Sequence, residues 1–156
     1  MDDAEALISI LAFLQNIGIP VDAAPLSVGG FLPAIEVRDG RLLYDPDRLQ
    51  WPGDLLHEAG HIAVTDPAIR ATVSEFASDG GDEMAAIAWS YAAALAIGID
   101  PQIVFHDHGY RGEGRSIAEN FAQGRYFGVP MLQYYGLARF SHDEGEHYPA
   151  MIKWLR

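Results

Sequence analysis

The chain has 156 residues, 49% hydrophobic and 21% charged, enough for one domain with a real core and too apolar for a disordered segment. Its net charge of −12 argues against a nucleic-acid partner, which calls for a basic footprint. There is no cysteine, so disulfides and thiolate metal sites are excluded, and any metal must use histidine and carboxylate.

The acidic start, Met1-Asp2-Asp3-Ala4-Glu5, is the opposite of a secretory leader. The longest apolar run, Met84 to Ile97, is 14 residues and is interrupted by Ser90, too short for a membrane span. A cytoplasmic protein with no membrane partner is expected, with residues 1–156 forming a single domain.

Taken in order, residues 3–17 carry Leu7, Ile10, Leu11, Leu14 and Ile17 on one helical face, and Gly18 with Pro20 ends that helix. Residues 19–33, rich in Pro, Gly and Ser, read as a loop with one short extended piece. The runs 34–38 and 41–44 flank Asp39-Gly40, the strongest local signal of a hairpin with a type I′ turn. Pro52, Gly53 and Asp54 then open a helix that Asp66-Pro67 stops. A short helix is expected around Ala68 to Phe76, and Ser78–Asp82 reads as a loop and a helix start. Residues 82–97 form a helix apolar nearly all round, the mark of a buried central element, with Gly98 as its stop. A helical turn follows Asp100-Pro101, then a glycine-rich loop at 109–114 and two short helices at 115–127 and 130–138. No repeat is visible.

Chemistry concentrates in Leu55-Leu56-His57-Glu58-Ala59-Gly60-His61-Ile62-Ala63. Its His-Glu-x-x-His spacing puts His57 and His61 on one helical face, where two imidazoles can reach one ion. Glu58 follows the first histidine directly, placed to handle a metal-activated water as general base. Leu55, Leu56, Ala59, Ile62 and Ala63 supply an apolar stripe beside the pair. Gly60 costs roughly 1 kcal/mol against Ala in a helix, which points to a close approach there. The plain alternative is an amphipathic helix with two surface histidines.

A catalytic zinc takes three protein ligands, and His₂Glu is a known set. Glu83 is the leading third ligand, because it sits in the first turn of an otherwise apolar helix, where an unpaired charge is costly. Asp79, Asp82 and Glu75 are fallback ligands, and first-turn acids are also favoured by the helix dipole alone.

His57-Glu58-Ala59-Gly60-His61, followed by a helix opening Asp82-Glu83-Met84-Ala85-Ala86, resembles the zincin metallopeptidases whose third ligand is a glutamate. Within them it most resembles the ImmA/IrrE-like group, over about residues 30–138. The segment Trp51-Pro52-Gly53-Asp54 departs from that pattern. The resemblance implies an α+β fold, mainly helical, with a short β-hairpin or small sheet beside the active-site helix. It further implies Zn2+ on His57, His61 and Glu83, Glu58 as base, and peptide-bond hydrolysis of a peptide or protein substrate.

Such chemistry also calls for a stabiliser of the developing oxyanion, for which His106, His108, Tyr91 and Tyr110 are the candidates. The tail His142-Asp143-Glu144-Gly145-Glu146-His147 has the composition of an inverted zinc motif but one residue too many, and reads as a charged surface loop or a weak secondary metal site. The alternative to a peptidase is a catalytically weak or inactive zincin-like domain, acting as a protein-binding or regulatory module with structural zinc.

Overall fold

The computed structural model describes residues 1–27, 34–76 and 80–156. It is a mainly helical α+β fold with one small mixed sheet, the fold class that the resemblance implied. Helix α1 (Asp3–Ile17) is opened by a capping box, in which Glu5 N–H donates to Asp2 and Asp2 N–H donates to Glu5. It buries Ala6, Ile10 and Leu14 and ends at Gly18 in the left-handed region.

Strand β1 (Val21–Ala23) runs parallel to β3 (Arg41–Tyr44), which pairs antiparallel with β2 (Ile35–Arg38). The sheet order is β1-β3-β2. Asp39 and Gly40 connect β2 to β3 with φ of 50° and 70°, the left-handed pair a type I′ turn requires. The expected loop at 19–33 thus contributes its extended piece to the sheet at 21–23, while residues 28–33 lie outside the described region.

Helix α2 (Gly53–Val64) carries the His-Glu-x-x-His pattern, and α3 (Gly80–Ile97) is its main packing partner. Their crossing explains Gly60: a Cβ there would lie 2.8 Å from the Ala86 carbonyl oxygen and 3.2 Å from Ser90 Oγ. Ser90 is buried, and its hydroxyl donates to Ala86 O at 2.6 Å, with Leu56 O 3.3 Å away. Small residues along this seam therefore fix how near the two helices come. Leu55, Leu56, Ala59, Ile62 and Trp89 fill the core around it, each large side chain contributing on the order of 1.5–3 kcal/mol. Trp89 packs edge-on to Trp154 and donates its indole N–H to the Trp154 carbonyl at 3.0 Å. The last residues then tie down α2, with Arg156 N–H donating to Ala63 O at 3.0 Å.

Three short elements complete the chain: α4 (Pro101–Val104), α5 (Gly114–Ala122) and α6 (Val129–Tyr134). Helices expected over 115–127 and 130–138 are shorter than their apolar patterns, because Gly124 and Gly136 take φ of 81° and 74° and turn the chain out of the helix. The helix expected around 68–76 is reduced to a single 3₁₀ turn at Arg70–Thr72. The residues after it are tied to the hairpin turn instead: Val73 is extended, Gly40 N–H donates to Val73 O, and Asp39 N–H donates to Ser74 Oγ. Among the described residues, no helix is long and apolar enough to cross a membrane.

Candidate metal centre

One turn of α2 separates His57 from His61, and their rings meet edge to face with centroids 4.9 Å apart. Glu83, in the first turn of α3, reaches both. One carboxylate oxygen lies 3.3 Å from His57 Nε2 and the other 2.7 Å from His61 Nε2. The α2–α3 seam at Gly60 makes this meeting possible, since a wider crossing would carry Glu83 away from both rings. Among the described residues these three are the group whose ligand atoms gather within 4.8 Å of one another.

The donor set fits a divalent ion. Metal–ligand bonds of about 2.0–2.1 Å in tetrahedral geometry put neighbouring donors about 3.3 Å apart, and here Glu83 lies 3.3 and 2.7 Å from the two rings in a group gathered within 4.8 Å. Two imidazole nitrogens and a carboxylate suit zinc and other first-row divalent metals alike. Exposure is lopsided: the Glu83 side chain is 44% exposed against 15% for His57 and 8% for His61, so the centre opens to solvent on the carboxylate side.

The electrostatics follow from that geometry. Burial works to lower the His57 pKa, but the hydrogen bond and negative charge of Glu83 outweigh it and leave the imidazole raised. Hydrogen bonds from His57 and His61 hold the Glu83 carboxyl far below the usual carboxylate range. Glu58 moves the other way: burial raises its pKa, with the two histidine charges opposing the shift. Such an upward shift suits a group that must accept and then release a proton.

The walls come from two directions. Phe76 stacks on His61 with centroids 4.8 Å apart, delivered by the 73–76 segment that the hairpin turn anchors. Tyr110 sets its ring edge-on to His57 at 5.2 Å and leans on Phe105 at 5.3 Å. Its hydroxyl is buried and has no hydrogen-bond partner among the described residues, and burial pushes its pKa well above that of a free phenol. Tyr110 and Arg111 both take positive φ, 53° and 56°, strain of order 1–3 kcal/mol for each residue.

His106 faces α2 from the same loop, its Nε2 2.7 Å from Asp54 Oδ1. Its other ring nitrogen accepts the His108 backbone N–H at 3.2 Å. That acceptor role places the ring proton on Nε2, so His106 donates to Asp54 and both nitrogens are engaged. Trp51 stacks on His106 at 5.0 Å and on the exposed His108 at 4.9 Å. Tyr91 packs on Phe121 at 4.6 Å. Of the four stabiliser candidates, Tyr110 is the one whose ring contacts a histidine of the metal group.

The fallback ligands separate cleanly. Asp82 accepts from the Tyr135 hydroxyl at 3.1 Å, Glu75 is exposed, and neither joins the gathered group. Asp79 lies outside the described residues. No second group of three metal-capable side chains occurs among the described residues, so the secondary site considered for 142–147 does not form there. Glu146 is taken by Arg139, which donates to both of its carboxylate oxygens.

Sequence reasoning missed Asp54 as part of the site, reading it as a helix opener. The available signal was its position three residues before His57, on the same face of α2. Trp51 and Phe76 carried no such signal.

The fold and the centre together define an α+β chain with a three-residue site able to hold a metal ion. No protein-family model, curated protein or solved structure matches the chain.

Proposed function

We propose that the chain is a zinc-dependent hydrolase of peptide bonds, of the zincin type that its motif resembles. The observation that carries this reading is the convergence of His57, His61 and Glu83 from two helices onto one point, with Glu58 electrostatically coupled to all three. When bound, zinc supplies Lewis acidity, polarising a carbonyl and lowering the pKa of water towards about 7. Glu58 takes the proton of the attacking water and passes it to the leaving amine. Tyr110 donates its phenolic proton as a hydrogen bond to the carbonyl oxygen as negative charge builds there. Its buried hydroxyl has no competing partner among the described residues, which is what that role needs.

A second reading is a regulatory or protein-binding module in which the ion is structural. Glu58→Gln separates the two. On the hydrolytic reading the variant retains its metal and loses cleavage of a peptide library by at least about 100-fold, the size of a general-base effect. Cleavage undiminished in the variant would overturn the assigned mechanism, and an inactive wild-type protein with full metal would favour the module.

A further inference from the structure

The loop that delivers Tyr110 is strained, and several of the contacts that hold it pass through one imidazole. His106 hydrogen-bonds on one edge to Asp54, in the first turn of the metal helix, and on the other to the backbone of its own loop at His108. One face of the ring stacks on Trp51 at an interplanar angle of 15°. Gly109 closes on the imidazole so tightly that a Cβ there would lie 3.2 Å from His106 Cε1. The side chains of His106 and Asp54 are only 11% and 16% exposed, so this bond is shielded from competing water. Four residues beyond His106, Tyr110 meets His57, three residues beyond Asp54. The bond and the ring contact therefore make two adjacent crossings between the same loop and the same helix.

We propose that Asp54 and His106 are positioning residues, whose hydrogen bond clamps the 105–112 loop to α2 and so sets the Tyr110 ring against His57. The clamp itself stands on geometry alone; its kinetic consequence rests on the hydrolytic reading above. His106 does not meet the reacting atoms, because both of its nitrogens are engaged within the clamp.

The test uses the full chain labelled with 3-fluorotyrosine, with the Tyr110 fluorine resonance assigned by its loss in Tyr110→Phe. Asp54→Ala and His106→Ala should each move that resonance towards the exposed-tyrosine position while metal content stays unchanged. Asp54→Asn keeps an acceptor oxygen for His106 and should keep the resonance in place. In peptide hydrolysis, Asp54→Ala should lower kcat by about 10- to 100-fold, the scale of a misplaced catalytic group, with KM little changed. Adding Tyr110→Phe to Asp54→Ala should cost nothing further, since both changes remove one contribution. A Tyr110 resonance unmoved in both alanine variants overturns the proposal, as does Asp54→Asn behaving like Asp54→Ala, which would assign the effect to charge. If Asp54→Ala does not fold, His106→Ala breaks the same bond from the loop side. A wild-type protein with no hydrolysis would defeat the hydrolytic reading while the fluorine experiment still decides the clamp.

Discussion

Two stretches of this chain combine two histidines with a glutamate, at 57–61 and at 142–147, and they come to opposite ends. At 57–61 the side chains project from a helix backed by Leu55, Leu56, Ala59 and Ile62, all buried, and a second helix brings Glu83 to meet them. At 142–147 the residues are exposed, Gly145 turns the chain at φ 86°, and Glu146 spends its carboxylate on Arg139 and on the Asp143 backbone. His142 packs on Tyr148. The residue types are alike; the support beneath them is not. Convergence on one point takes rigid elements whose apolar faces fix the spacing, and only the first stretch has them.

This contrast can be broken from the side of the helices. A chelator should destabilise the metal-loaded protein by about 3 kcal/mol where free zinc stood near 100 times its dissociation constant, read as a lower unfolding midpoint. Gly60→Ala pushes a methyl group against the Ala86 carbonyl and should cost about 1–3 kcal/mol in chemical denaturation, with weaker metal binding because Glu83 shifts away. Phe76→Ala removes the stacking partner of His61 and should cost about 1 kcal/mol while leaving the metal stoichiometry intact. The smallest effect belongs to the tail: His142→Ala with His147→Ala should change stability by no more than about 0.5 kcal/mol and metal content not at all. A loss of metal in that double variant would collapse the distinction between the two stretches.

Much of this was legible in the chain, for identifiable reasons. The hairpin turn follows from Asp39-Gly40, because that dipeptide satisfies a local dihedral demand. Helices α1, α2 and α3 follow from apolar spacing sustained over several turns, and Gly60 announced a close approach that Ala86 and Ser90 supply. Strand β1 was legible only as an extended piece, since three residues are too few to specify a parallel partner twenty positions on. The His57–His61 pair needs only helical spacing, and Glu83 needs only a carboxylate opening a buried helix. The pairing of Asp54 with His106 spans 52 residues and depends on where α4 returns the chain. No local pattern encodes that return. Tyr110 belongs to the same case: it was one of four stabiliser candidates, and the loop alone singles it out.

The His-Glu-x-x-His helix and Glu83 bring together three side chains that could hold one metal ion, and on the proposed function they do so. Elemental analysis of protein purified with zinc present, beside His57→Ala and the tail double variant, tests it most directly. About one ion per chain in the wild type and in the tail variant, lost in His57→Ala, is the predicted result. Metal-free wild-type protein, or equal metal in wild type and His57→Ala, would contradict the account and leave His57 and His61 as two histidines on a packed helix.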